Sequence, residues 1–148
     1  MPEKETIERA RRDKVQGKAP STQAGEFVRE EIEHIREGKH GARSTKQAIA
    51  IGLAKARRAG VDLDPPEKGT VPEETRKQAK RDARAGHSGT KAKKSVKRSR
   101  ATLAALKKEG RSAASKTALS RQAKKAATKR SAASRSRSAK KAAATRKK

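Results

Sequence analysis

From Ala83 to Lys148 the chain carries 23 Lys or Arg residues and one acidic residue, Glu109, a net charge of +22. Charge of that density resists compaction, and like charges four residues apart oppose helix formation as well. Residues 1–82 differ in kind, with 19 basic and 15 acidic residues and a net of +4. Together the two parts make the +26 of the 148-residue chain. Only the first has the charge balance of something that can close around a core. Its material is thin, because Phe27 is the sole aromatic residue and there is no Trp, Tyr or Cys. Aromatic side chains supply much of the buried area of a large core. With a mean hydropathy of -1.14, the sequence excludes one compact 148-residue globule. No run approaches the roughly 20 apolar residues of a transmembrane helix. The charged start, Met1 to Arg12, reads as no signal peptide. Absence of Cys fits a reducing compartment, so the expected location is cytoplasmic.

Hydrophobic periodicity predicts an all-α fold, a small helical hairpin head followed by a largely disordered or conditionally helical polybasic tail. Ala24, Val28, Ile32 and Ile35 recur at helical spacing with Phe27 beside them. This predicts a helix over 22–37, capped by Ser21 or Thr22 and closed by Gly38. Glu26, Glu30, Glu31 and Glu33 lie toward its start, where the helix dipole favours anions. Ile49, Gly52, Leu53 and Ala56 predict a second helix over 45–59, capped by Ser44 or Thr45. Gly60 is its stop, with Val61 placed for the accompanying apolar contact. Gly52 and its alanine neighbours suit close approach of two backbones. Residues 22–60 thus form the head and 1–21 a weakly helical arm with Ile7 and Val15. A linker and a polar helix occupy 61–85, with Thr70 and Glu73 in capping-box spacing. That helix is polar on nearly every face and is not expected to pack strongly on anything. In the tail, 86–148, the stretches 99–109 and 112–128 have helix propensity opposed by charge. Such segments are expected to become helical on a polyanion.

The tail repeats itself. Arg111-Ser112-Ala113-Ala114-Ser115 recurs as Arg130-Ser131-Ala132-Ala133-Ser134, and Ala123-Lys124-Lys125-Ala126-Ala127 as Ala139-Lys140-Lys141-Ala142-Ala143. Without an apolar position common to both copies, the repeat reads as low complexity, a copied charge pattern. This Lys/Ala-rich segment is similar to the C-terminal domains of linker histones and of bacterial histone-like nucleoid proteins, over about the last third of the chain. The head carries a second resemblance, in Glu37-Gly38-Lys39-His40-Gly41 followed by Ser44-Thr45-Lys46-Gln47-Ala48-Ile49-Ala50-Ile51. It resembles a small family of uncharacterised bacterial basic proteins that share the Lys-Gln-Ala-Ile-Ala-Ile segment. Those proteins are often labelled DNA-binding or plasmid-stabilisation proteins. The resemblance implies DNA binding, although the winged-helix head of linker histones is absent.

The tail cations are the candidate nucleic-acid-binding residues. They are Lys91, Lys93, Lys94, Lys97, Arg98 and Arg100, then Lys107, Lys108, Arg111, Lys116 and Arg121. Lys124, Lys125, Lys129, Arg130, Arg135 and Arg137 follow, with Lys140, Lys141, Arg146, Lys147 and Lys148 at the end. They would neutralise phosphates and release counterions. Sequence-specific single-strand readers stack bases on aromatic rings. One Phe on a core helix cannot do so, and contacts are expected to follow the backbone with little sequence preference. The resulting expectation is a nucleoid-associated DNA-binding protein that coats, bridges or compacts DNA, with structured RNA such as ribosomal RNA as the alternative partner. No membrane partner is expected, since the tail's apolar residues are mostly Ala. An adaptor that docks a partner on the acidic 26–37 face is a further alternative. Val28, Ile32, Ile35, Ile49 and Leu53 leave an apolar face that a two-helix hairpin covers poorly, which predicts self-association as a homodimer. Gly38-Lys39-His40-Gly41 is a G-x-x-G between two helices, read as a stop and turn. His34, His40 and His87 match no metal-site spacing. Glu33 and Glu37 beside His34 read as a solvated helix face. The expectation is no enzyme, no cofactor and no metal.

Overall fold

The computed structural model describes residues 1–89 and 95–147. The helices are α1 (Lys4–Val15), α2 (Pro20–Arg36), α3 (Thr45–Arg58), α4 (Glu73–His87), α5 (Val96–Lys107), α6 (Lys116–Thr128) and α7 (Ala132–Arg146). A single 3₁₀ turn, Ser112–Ala114, precedes α6. Gly52 sets how closely α2 and α3 pack. A Cβ built there would lie 2.6 Å from the Val28 Cα, so only glycine permits this approach. Ser44 caps α3 by accepting the Gln47 amide at 3.2 Å. Gly38 and Gly60 end the two helices with φ of +79° and +86°. After Gly60 the Val61 amide bonds back to the Ala56 carbonyl at 3.1 Å, and both side chains are buried in one cluster. That is the predicted stop with its apolar contact. The start of α2 differs from expectation. Pro20 occupies its first turn behind Ala19, with no side-chain cap, because the fixed proline φ already suits a first helical turn.

Both flanking helices pack on the hairpin. Helix α1 buries Thr6, Ala10 and Asp13 and is tied to α2 by the Arg9–Glu26 ion pair at 2.7 Å. Helix α4, not expected to pack strongly on anything, lies against α3. It does so through small residues rather than an apolar stripe. Gly86 sits where any Cβ would collide with the Arg57 carbonyl, Ala79 is buried, and buried Asp82 accepts from Arg58 Nε at 2.9 Å. Its N-cap is Pro72, not Thr70. The Thr70 hydroxyl instead donates to the Glu67 carbonyl in the preceding turn. Arg57 is buried and donates to the carbonyls of Leu63 and Asp64. Burial pushes its pKa below the ordinary arginine value, while nearby Asp82 opposes that shift.

Two apolar clusters result. One holds Ala10, Ala24, Phe27, Ala56 and Val61, with Ile7, Leu53 and Leu63 against it. The other holds Ile32, Ile35, Ala42 and Ala48 together with Ala113 and Ala114 from the tail, with Val28 and Leu119 against it. The second cluster corrects the expected homodimer surface. Ile32 is 6% exposed and Ile35 fully buried. Val28, Ile49 and Leu53 are half-buried within the chain. The chain's own 3₁₀ turn and α6 cover Val28, Ile32 and Ile35, and Leu53 packs in the other cluster.

The tail is helical, and this corrects the expectation of a largely disordered segment. Ser95, Ser115 and Ser131 cap α5, α6 and α7, each accepting the amide three residues on. Ala, Lys, Arg and Leu inside those helices have high intrinsic propensity. Helix α7 lies wholly beyond the 112–128 limit of the predicted helices. The 106–114 segment is hydrogen-bonded to the head. The Gly41 amide donates to Leu106 O at 2.9 Å and the Ala42 amide to Gly110 O at 3.1 Å. Thr45 Oγ1 donates to Ala113 O at 2.7 Å and Arg36 Nε to Ala114 O at 2.9 Å.

Two predictions follow from this packing. Gly52→Ala destabilises the fold by about 1–3 kcal/mol through overpacking. Gly25→Ala, on an exposed part of α2 with nothing near its Cβ position, stabilises by about 1 kcal/mol. Urea unfolding of both variants checks the opposite signs. In amide hydrogen exchange, Gly41 and Ala42 are protected because the tail is docked, whereas α7 exchanges near the free rate. Ala114→Asp places an unpaired charge in the Ile32–Ile35 cluster and removes the Gly41 and Ala42 protection.

Candidate nucleic-acid interface

The structure sorts the tail cations by element. Lys97, Arg98, Arg100 and Lys107 lie on α5, with Lys108 at its C-cap. Arg111 precedes the 3₁₀ turn. Lys116, Arg121, Lys124 and Lys125 lie on α6, followed by Lys129 and Arg130. Arg135, Arg137, Lys140, Lys141 and Arg146 lie on α7, followed by Lys147. All of these side chains are exposed. Lys91, Lys93, Lys94 and Lys148 fall outside the described residues.

The electrostatic setting of the two parts differs sharply. Among the described residues, every ion pair lies between Glu3 and His87. Several cations of the first part are compensated locally: Arg9 by Glu5 and Glu26, Arg58 by Asp82, and Lys39 by Glu37 and Glu3. The Glu26 hydrogen bond holds the Arg9 pKa above its ordinary value, and the Glu37 hydrogen bond does the same for Lys39. The tail cations between 96 and 147 have Glu109 as their only acidic neighbour in sequence.

The repeat gains meaning on these helices. Arg121, Lys124 and Lys125 stand at i, i+3 and i+4 on α6, and Arg137, Lys140 and Lys141 repeat that spacing on α7. Residues so spaced share a face about 5–6 Å apart at Cβ, a span on which long cationic side chains can reach successive phosphates. The Arg-Ser-Ala-Ala-Ser copies diverge instead. In the first, Ala113 and Ala114 are buried against α2 and Ser115 caps α6. In the second, Ala132 and Ala133 are exposed, Ser131 caps α7, and the Arg130 guanidinium bonds Ser134 and the Ser138 hydroxyl. One pentapeptide takes two structures because only the first copy meets Ile32 and Ile35. The repeat is therefore part packing device and part charge pattern.

Two groups were not legible in sequence. The N-termini of α3 and α6 meet at a shallow cleft lined by Arg43, Ser44, Ser115 and Arg121. Helix N-termini carry positive partial charge, so this cleft continues the basic character of the tail onto the head. The Ser44 and Ser115 caps were the available signal, but nothing in sequence joined them. The second group is polar and inward. Glu30 and Glu31 are 2% and 1% exposed, which takes them out of the acidic 26–37 face and leaves Glu33 and Glu37 at the surface. Lys55 Nζ stands 2.6 Å from Glu31 Oε2 and 3.4 Å from Glu30 Oε1, and the Glu3 amide donates to Glu30 Oε2. His40 and His34 complete this group: His40 Nε2 lies 3.3 Å from Glu31 Oε1, and His34 Nε2 lies 2.9 Å from Glu3 Oε1. The G-x-x-G turn is filled by the chain's own 106–110 backbone, since a Cβ at Gly41 would collide with Glu109.

Comparison with protein-family models, curated proteins and solved structures gives no match. Among the described residues, no helix is long and apolar enough to cross a membrane. Breaking the buried pair is expected to be costly: Lys55→Met leaves Glu30 and Glu31 buried without their cation, a loss of about 3–5 kcal/mol. Thermal and urea unfolding of that variant measure it.

Proposed function

We propose that the chain is a sequence-nonspecific DNA-binding, nucleoid-associated protein that coats, bridges or compacts DNA through phosphate-backbone contacts. The observation that supports this reading is that, among the described residues, ion pairs fall within residues 3–87 while α5, α6 and α7 expose their cations. A polyanion supplies the missing compensation and releases its condensed counterions on binding. Phe27 is 1% exposed in the core and is not available to stack on a base. Recognition therefore rests on charge and spacing rather than on base edges. The resemblance of the Lys46–Ile51 segment to proteins labelled DNA-binding, and of the tail to linker histones, agrees with this reading. Docking of 106–114 gives the polycation a fixed root. The basic helices on either side of that root, α5 and α6–α7, offer separate surfaces for separate duplexes, which gives bridging without a dimer.

Affinity for random duplex DNA falls log-linearly with salt, with a slope of about -0.9 per phosphate contacted. The variant Lys124→Gln, Lys125→Gln, Lys140→Gln, Lys141→Gln keeps the fold and flattens that slope by up to about four contacts. Fluorescence anisotropy at several salt concentrations reads both quantities. An unchanged slope refutes the interface. Tighter binding to duplex RNA than to duplex DNA at equal salt assigns the partner to RNA.

A further inference from the structure

Glu31, His34 and His40 each offer one ligand atom, and these atoms lie within 4.8 Å of one another. We infer that they form a binding site for one divalent transition-metal ion of the zinc class, between the C-terminal turns of α2 and the turn that follows. Sequence spacing hid the site. His34 lies on α2 and His40 beyond the Gly38 reversal, so the turn folds the second imidazole back over the helix.

Hydrogen bonding around His40 argues for a cation. A carbonyl oxygen only accepts, so His40 Nδ1 donates its proton to Gly41 O at 3.1 Å. In the neutral ring Nε2 is then a lone pair, and it faces Glu31 Oε1 at 3.3 Å. Either a proton or a metal ion held between the two atoms removes that contact, and an imidazole lone pair beside a buried carboxylate is a donor pair that zinc-class ions take. An imidazole that donates its far N–H to a backbone carbonyl is also the common arrangement for a metal-binding histidine. Glu31 is itself buried and incompletely satisfied. Its Oε2 has no aligned hydrogen bond, although Lys55 Nζ lies 2.6 Å away off the bonding direction. Lys55 thus balances one carboxylate oxygen and leaves the other directed at the histidines.

Local charge permits a dication despite the +26 of the chain. Glu3, Glu30, Glu31 and Glu37 are joined in one network by the Glu3 backbone amide and by Lys39 and Lys55, the lysines that pair with them among the described residues. Four carboxylates against two ammonium groups leave two negative charges, which one divalent ion neutralises. The donor set selects the ion. Two imidazoles and a carboxylate suit zinc, cobalt or nickel over calcium or magnesium, which prefer all-oxygen shells. Glu3 Oε1 accepts from His34 Nε2 at 2.9 Å, the kind of carboxylate contact that orients a metal-ligating imidazole through its other nitrogen.

The full chain, stripped with EDTA and free of nucleic acid, is titrated with Zn²⁺ and its histidine ring resonances followed by NMR. The rings of His34 and His40 shift together and saturate at one equivalent, while exposed His87 stays in place. In parallel, Co²⁺ develops the visible absorption of a low-coordinate nitrogen–oxygen site, and Zn²⁺ bleaches it. His34→Gln and His40→Gln each weaken Co²⁺ binding at least tenfold, whereas His87→Gln leaves it unchanged. The wild-type ring shifts decide the matter should either variant unfold. Shifts confined to His87, unsaturated shifts of all three rings, or none at one equivalent overturn the proposal.

Discussion

Four hydrogen bonds donated by residues 36–45 to the 106–114 segment hold the architecture together, and Arg111 returns a fifth to the Arg36 carbonyl. Gly41 and Ala42 offer amides, Thr45 a hydroxyl and Arg36 a guanidinium, and all four are taken up by tail carbonyls. Each such bond contributes only about 0.5–1.5 kcal/mol net. Their larger effect is to seat Ala113 and Ala114 over Ile32 and Ile35. A hairpin with one aromatic residue has too little apolar area to close alone. Here the polycation itself supplies the missing wall.

That arrangement joins two demands that charge alone would set apart. The tail keeps its cations exposed, yet the head needs apolar cover. Alanine serves both, small enough to enter the α2–α3 groove and compatible with helices whose other positions are Lys, Arg and Ser. Glu109 is the only acid after residue 82 and sits in the docked segment, where its backbone passes against Gly41. The cations begin again at Arg111 and run outward along α6 and α7.

The hairpin was legible because its signals are local. The Val28–Ile35 stripe, the Ser44 cap, the Gly52 gap and the Gly60–Val61 stop each act within a few residues, and the structure holds all of them. What sequence misplaced depends on distant partners. Helix α4 packs through Gly86, Ala79 and Asp82, residues with no apolar signature. Ala113 and Ala114 sit in a pentapeptide whose second copy is exposed, so composition could not tell a packing segment from a spacer. Glu30 and Glu31 read as surface charges because Lys55 lies on the other helix. His34 and His40 are six residues apart across a turn, and only the reversal at Gly38 brings them together.

The central claim is that the head anchors the tail while the tail cations meet nucleic acid. Backbone amide NMR of the full chain, titrated with random duplex DNA, tests it most directly. The account predicts that resonances of α5, α6 and α7 move with added DNA while the buried residues of α2 and α3 and the Gly41 and Ala42 amides keep their positions. Shifts concentrated in α2 and α3, with the tail helices unmoved, would contradict it.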